Sequence, residues 1–164
     1  MQPPIDTPIF LIRPETPADA VAIAALTTAA FLKPPHTSHT EAFIVNALRR
    51  AGAMSVSLVV EQGGALVGHV ATSPVVVADG TPGWHGLGPI SVSPEHQGKG
   101  IGSALMQAAL QALRDQGAAG IMLVGDPGYY RRFGFRQEPQ LCTPASHRNT
   151  SWCCRSPAPC RRAR

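Results

Sequence analysis

The sequence predicts a single α/β domain in which a mixed, mostly antiparallel sheet is flanked by helices. Apolar residues alternate at strand spacing in some segments and recur at helical spacing in others, so strands and helices interleave along the chain. With 164 residues, of which 44% are hydrophobic, the chain can bury one substantial core, and nothing in it indicates a second. The expected strands are residues 9–14, 55–61, 65–73, 87–92 and 121–124, and the expected helices are 17–30, 39–50, 100–116 and a short one at 129–133.

The first two helices are predicted from their ends and their periodicity. Thr16 is expected to cap the first helix, with Asp19 in its first turn. Apolar residues of the second helix recur at helical spacing, which predicts one buried stripe. This stripe is expected to consist of Phe43, Ile44, Ala47 and Leu48.

Turn residues mark the ends of the remaining elements. Gly63 and Gly64 follow Gln62 between two strand-like runs, which predicts a hairpin. Gly117 is expected to stop the third helix, and Asp126 is expected to cap the short helix that follows the last predicted strand.

A glycine-rich turn at residues 97–102 connects a predicted strand to a predicted helix. Unpaired N–H groups in the first turn of a helix point toward one spot, and the helix dipole adds a partial positive charge there. Glycines at 98, 100 and 102 lack the Cβ atoms that would keep a ligand's oxygens away from these amides. The turn therefore predicts an anion site, and a diphosphate is the simplest ligand.

The spacing of the turn separates three kinds of nucleotide loop. A P-loop is excluded because Lys99 precedes Gly100 and no hydroxyl residue follows in register. A dinucleotide fingerprint fails because Ser103 occupies the position of its last glycine, and because the turn lies past the middle of the chain. The remaining pattern, Gln-x-x-Gly-x-Gly, resembles the coenzyme A loop of the GCN5-related N-acetyltransferase (GNAT) family.

A second segment strengthens this resemblance. Residues 125–135 are similar to the closing signature of the family, in which a tyrosine precedes a Gly-Phe pair by four positions. Here Tyr130 precedes Gly134 and Phe135. The resemblance extends from about residue 9 to about residue 141 and is greatest to the YhbS-like branch.

The resemblance implies the GNAT acyl-CoA N-acyltransferase fold and an activity. A GNAT enzyme moves an acetyl group from acetyl-CoA to a primary amine by direct attack in a ternary complex. The acceptor is expected to be a small molecule or a protein amine. A catalytically weak or inactive CoA-binding or sensor domain remains the alternative.

The resemblance also implies roles for individual residues. The fourth and fifth strands are expected to splay apart so that the pantetheine arm lies between them. Tyr130 would protonate the departing sulfur, although Tyr129 could be the tyrosine that faces the site, and the amide of Val92 would polarise the thioester oxygen. The cofactor-binding residues are then expected to be Ile90, Ser91, Val92, Gln97, Gly98, Lys99, Gly100, Ile101, Gly102 and Ser103.

The general base stays open among several side chains. His36, His39 and Glu41 belong to the expected substrate-side loop, and His85 precedes the fourth strand. Each could act directly or through water. His69 alternates with valines and is interpreted as a sheet residue.

Residues 142–164 differ from the domain at residues 1–141 by their cysteine, arginine and proline content. All four cysteines lie there, but Cys153 and Cys154 are adjacent and no Cys-x-x-Cys pair exists, so we expect no metal site. We interpret this tail as frameshifted or disordered, with the shift between residues 141 and 144. It would leave the sheet without its last strand, and the open edge could then pair in a homodimer.

Charge and hydropathy exclude two classes of partner. The net charge is +4, but residues 1–141 hold nine basic and ten acidic side chains, so the excess belongs to the tail and no nucleic-acid partner is expected. No apolar run approaches the roughly 18 residues of a membrane span. The N-terminus lacks the pattern of a signal peptide, so a cytoplasmic location is expected.

Overall fold

A computed structural model describes residues 9–33, 39–78 and 80–137, together with the backbone of residues 151–155. The strands are β1 Leu11–Pro14, β2 Val56–Gln62, β3 Ala65–Val75, β4 Trp84–Val92, β5 Gly120–Gly125, β6 Arg136–Gln137 and β7 Ser151–Arg155. The helices are α1 Ala20–Ala30, α2 Glu41–Arg50, α3 Ile101–Asp115 and α4 Pro127–Tyr130, and 3-10 turns occupy Pro17–Asp19, Pro94–His96 and Arg131–Phe133.

Within the described residues the strands form one sheet in the order β1-β2-β3-β4-β5-β7-β6. Neighbouring strands are antiparallel except for β4 and β5, which are parallel. The predicted mixed, mostly antiparallel sheet is therefore confirmed. The predicted hairpin joins β2 to β3, where Gly63 and Gly64 have φ values of 59° and 77° that favour glycine.

Helices cover both faces of the sheet. On one face α3 buries Leu105 and Leu113 against β2, β3 and β4. Gly68 of β3 lets α3 come close, because a Cβ atom there would lie 3.0 Å from side-chain atoms of both Ile101 and Leu105. On the other face a smaller cluster joins α1 and α2 to β2. It consists of Ile23, Val45 and Val59, with Leu66 against it.

The predicted stripe of α2 is wrong. Val45 is the buried residue of this helix, whereas Phe43 is 72% exposed, Ile44 is 46% exposed, Ala47 is exposed and Leu48 is half-buried. The physical reason is that α2 packs mainly against α1, so that it needs only a narrow buried face. A ten-residue helix with several apolar positions contains more than one possible stripe, and the contact with α1 selects among them.

The tail supplies a strand. The backbone of Ser151–Arg155 pairs with β5 from Ile121 to Gly125, and β6 pairs with its other edge. The expectation that β5 ends the sheet as an open edge, or that all of the tail is disordered, is therefore wrong. A β-ladder is formed by main-chain groups, so an altered sequence can still occupy this position. Residues 138–150 and 156–164 lie outside the described part of the chain, and the frameshift itself stays a prediction.

The described residues contain no helix that is both long enough and apolar enough to cross a membrane. They also contain no group of three or more His, Cys, Asp or Glu side chains placed to hold a metal ion. The cysteine side chains of the tail lie outside this description.

Candidate active site

The site begins where β4 parts from β5. The two strands pair only over three positions, from Trp84 opposite Gly120 to Gly86 opposite Met122. Beyond this point β4 carries a bulge against β3, in which Gly88 and Pro89 face a single residue. Because a bulge bends its strand and increases the local twist, the end of β4 diverges from β5 and a gap opens between them.

An open cleft of about 460 Å³ lies at this gap. Its walls are the end of β4, the glycine-rich turn, the first turn of α3 and the segment around α4. The lining residues are Ile90, Val92, His96, Gln97, Gly98, Gly100, Gly102, Ser103, Tyr129, Tyr130 and Arg132.

The glycine-rich turn presents main-chain donors to this cleft. Gly98 and Gly100 have φ values of 74° and 84°, and Gly100 is the N-cap of α3. The first hydrogen bond of the helix runs from the N–H of Ala104 to the carbonyl of Gly100 at 3.0 Å. The three amides between these residues therefore have no acceptor within the helix and can bind a ligand.

Hydrogen bonds tie the turn to the end of β4. The side-chain amide of Gln97 donates to the carbonyl oxygen of Val92 at 3.1 Å. The N–H of Ser93 donates to Val67 on β3 at 2.9 Å. Because main-chain groups of successive residues in a strand point to opposite edges, the N–H of Val92 points away from β3 and toward the gap.

Two tyrosines close the other side of the cleft. The carboxylate of Asp126 accepts a hydrogen bond from the N–H of Gly128 at 2.9 Å, which confirms the predicted cap of α4. Tyr130 packs on Gly125, where a Cβ atom would lie 2.3 Å from the tyrosine ring. Tyr129 and Tyr130 contact each other edge to face at 4.9 Å, and both line the cleft.

The structure brings most of the predicted residues together, but three of them do not line the cleft. Ser91 points to the opposite face of β4, is 1% exposed and donates to Thr27 at 3.4 Å. Ile101 is the first residue of α3 and its side chain is buried in the core. Lys99 is exposed and does not line the cleft. The side chain of Ser91 points away from the cleft because side chains alternate along a strand. The geometry of the turn directs the side chains of Lys99 and Ile101 away as well, so only backbone groups of these residues lie near the site.

His96 and Arg132 also line the cleft, and the sequence analysis assigned no role there to His96. His96 belongs to the 3-10 turn before the glycines, and its Nδ1 lies 2.6 Å from Oγ of Ser93. The guanidinium of Arg132 lies 4.0 Å from the ring centroid of Tyr129. Their positions beside the two recognised motifs were the signal that could have identified them.

None of the candidate bases within the described residues lines the cleft. His36 lies outside the described residues, and neither His39 nor Glu41 lines the cleft. Nδ1 of His85 is 2.8 Å from Oγ of Ser55, at the closed end where β4 and β5 pair. Burial lowers the pKa of His85.

A separate polar cluster, the Glu15 network, lies on the face of the sheet covered by α1 and α2. Arg49 donates to both carboxylate oxygens of Glu15, at 2.7 and 3.0 Å. Ser57 also donates to Glu15, so it must accept from Nε2 of His69, 2.9 Å away. Burial opposes ionisation of Glu15, but hydrogen bonds from His69, Arg49 and Ser57 outweigh it and hold its pKa well below the ordinary value. His69 is fully buried within β3, as its alternation predicted.

Comparison with known proteins agrees with this geometry. The family model described as "Acetyltransferase (GNAT) family" matches residues 21–135. The Escherichia coli (strain K12) protein named "Uncharacterized N-acetyltransferase YhbS" is 37% identical over 127 residues, which are 77% of this chain and 73% of that protein.

Two solved structures share both sequence and fold with the chain. A GNAT family acetyltransferase from Brucella melitensis, in complex with acetyl-CoA, is 42% identical with a TM-score of 0.81 over 93% of this chain and 90% of that one. YhbS from Escherichia coli, in complex with CoA, is 33% identical with a TM-score of 0.76 over 87% and 79%. On the strength of its matched signatures, its splayed strands and these relatives, the chain belongs to the GNAT acetyltransferase family.

Proposed function

We propose that the protein is an acetyl-CoA-dependent N-acetyltransferase that acetylates a primary amine of a small molecule or a protein by direct attack in a ternary complex. The observation that carries the proposal is the cleft itself, where the unpaired edge of β4 lies beside the unpaired amides at the start of α3. The relatives crystallised with acetyl-CoA or CoA support the choice of donor.

The turn fits a diphosphate. The unpaired amides at the start of α3, the left-handed glycines and the helix dipole together favour an anion. A Cβ atom on Gly102 would lie 3.7 Å from Val92 and 3.9 Å from the hydroxyl of Tyr129, so the first turn of α3 directly borders both cleft walls. Because Lys99 does not line the cleft, main-chain donors would provide most of the attraction.

The open edge of β4 fits the pantetheine arm. Ile90 and Val92 give the cleft apolar side chains, and residues 90–92 have no pairing with β5. An extended arm with amide groups can bind such an edge as an added strand does. The N–H of Val92 would donate to the thioester oxygen and stabilise the charge that develops there during attack.

Acetyl transfer also requires two proton movements. The attacking amine must be neutral, although the pKa of a lysine amine is near 10.4, and the departing sulfur must gain a proton. Tyr130 would supply that proton, because its ring is held against Gly125 at the cleft wall. The roles of Val92 and Tyr130 belong to this proposal.

A thiol-release assay with purified protein and acetyl-CoA tests the proposal. The panel would contain amino-acid esters, polyamines and peptides with a free N-terminus or a lysine, each beside the matching alcohol as a control. Amine-dependent release, with the acetylated amine identified by mass spectrometry, is the expected result. Tight CoA binding without release by any amine would contradict catalysis and support a CoA-binding or sensor domain.

A further inference from the structure

α1 leaves an apolar side uncovered. From Ala20 to Leu32 the chain contains no charged residue, which is typical of a helix that is buried on all sides. One side of α1 packs on α2, β3 and β4. The opposite side is exposed and consists of Val21, Ala22, Ala25, Thr28, Ala29 and Leu32. Its one hydroxyl, on Thr28, donates to the carbonyl of Ala24 at 2.8 Å, so α1 itself satisfies that group.

α2 extends this uncovered side. The apolar stripe that the sequence predicts for α2 lies outward, with Phe43 and Ile44 both exposed. Ile23 of α1 and Val45 of α2 are buried in one cluster with Val59 of β2, so the opposite sides of both helices point away from the sheet. Because the two helices pack directly on each other, these exposed sides form one surface, the α1/α2 face.

The segments outside the described structure do not match this face. Residues 1–8, 34–38, 138–150 and 156–164 contain no run of more than two hydrophobic residues, and the last of these segments holds three arginines. A second copy of the chain offers the same uncharged face, and a two-fold axis pairs a surface with itself. Two copies of the α1/α2 face can therefore meet without like-charge repulsion and remove apolar side chains from water.

The charges beside the face lie at its ends. Lys33 follows the last turn of α1, Arg50 is the last residue of α2, and both are exposed. An apolar centre with charged residues at its rim is the usual arrangement of a protein interface.

We propose that the protein forms a two-fold homodimer in which α1 packs antiparallel on the α1 of a second copy, with Phe43 and Ile44 of each copy flanking the contact. The alanines of α1 allow the two helices to approach closely. At 1.5 Å per residue each helix is about 15 Å long, so a face two helices wide is smaller than the roughly 800 Å² per partner of a stable complex. We therefore expect a Kd in the micromolar range.

Sedimentation equilibrium of the whole protein without ligand tests the proposal. With rising protein concentration the mass should increase from the 17.3 kDa of one chain toward twice that value. Phe43→Glu should raise the Kd at least about tenfold, because it places a charge in the apolar contact. Val76→Glu is the matched control, since Val76 is exposed and apolar but follows β3 outside the face, and it should keep the Kd.

A charge exchange tests the two-fold arrangement. Ala25 lies within the exposed side of α1, so Ala25→Glu and Ala25→Lys should each dissociate the dimer, because like charges then meet across the axis. An equal mixture of the two variants should associate again. Circular dichroism checks that each variant keeps its helices.

An unsubstituted protein that stays at 17.3 kDa up to about 500 μM, well above a micromolar Kd, would overturn the proposal. A Phe43→Glu variant with an unchanged Kd, or a mixture of the Ala25 variants that stays monomeric, would overturn it as well. None of these measurements involves acetyl-CoA, so they leave the proposed function untouched.

Discussion

The cleft and the Glu15 network both contain polar hydrogen-bonding groups. In the network these groups bond to one another, whereas in the cleft several of them have no partner. In the network Arg49, Ser57 and His69 converge on one carboxylate, and only Nδ1 of His69 is left without a partner among its described polar atoms. In the cleft the amides at the start of α3 have no partner within the helix, and Arg132 forms no ion pair with another described residue. Polar groups that satisfy one another hold a fold together, whereas polar groups left open at a surface bind a ligand.

This contrast separates structure from function where residue type alone does not. Glu15, Ser57 and His69 have the composition of a hydrolytic triad, but the serine donates to the carboxylate rather than to the histidine. The histidine is fully buried. The network is therefore assigned to stability, and the proposed chemistry to the cleft.

The largest effect is expected from Tyr130→Phe. Removal of the proposed proton donor should lower kcat about 100-fold, while the Kd for CoA changes less than about twofold because the ring still packs on Gly125. Steady-state kinetics and calorimetry measure the two quantities. Tyr129→Phe is the control and should keep its rate; the reverse pattern would transfer the role to Tyr129.

The next effect is expected from Glu15→Gln. Loss of the carboxylate leaves Arg49 partly buried without its counter-charge, so the free energy of unfolding should fall by about 2 kcal/mol in urea titrations. The affinity for CoA should not change, because no residue of the network lines the cleft. Glu61→Gln removes the more exposed partner of Arg13 and should cost less. A weakened CoA affinity with unchanged stability would contradict the division between the two regions.

The same carboxylate predicts a pH dependence. The pKa of Glu15 is lower in the folded protein than in the unfolded chain, where it is near 4.3. Its stabilisation is therefore complete above that value and is lost as the pH falls below about 4.3 toward the folded pKa. Unfolding curves between pH 5 and pH 3 should show a smaller loss of stability in Glu15→Gln than in the unsubstituted protein. Parallel losses would show that other groups control acid unfolding.

The smallest effect is expected from a pair of glycines at the two ends of α3. Gly100 and Gly117 have φ values of 84° and 77°, so alanine at either should strain the backbone by about 1 kcal/mol. Of these two glycines only Gly100 lines the cleft, so Gly100→Ala should also weaken CoA binding, by about tenfold. Calorimetry beside thermal unfolding separates the two effects. Equal affinities in both variants would remove the turn from the binding site.

The elements that sequence reasoning predicted are governed by local rules. The glycines of the hairpin, the stop at Gly117 and the cap at Asp126 each follow from the backbone needs of a few neighbouring residues. The glycine-rich turn belongs to the same class, because the proposed anion site is built from one short segment.

What the sequence could not predict depends on distant parts of the chain. Val45 is the buried residue of α2 because α1 lies beside it. The Glu15 network joins Glu15 to Arg49 and Ser57, which lie 34 and 42 positions further along the chain. His96 and Arg132 enter the cleft only once β4 and β5 have diverged. Periodicity and motif spacing do not predict such contacts between residues that are far apart in the sequence.

The central claim is that main-chain amides at the start of α3 bind the diphosphate of coenzyme A. Amide chemical shifts followed by NMR during a CoA titration test it directly. The account predicts large shifts for the amides of Ile101, Gly102 and Ser103 and none for those of Glu15 or Ser57. Saturating CoA that leaves the first three amide signals unshifted, or that shifts the amides of the Glu15 network instead, would contradict it.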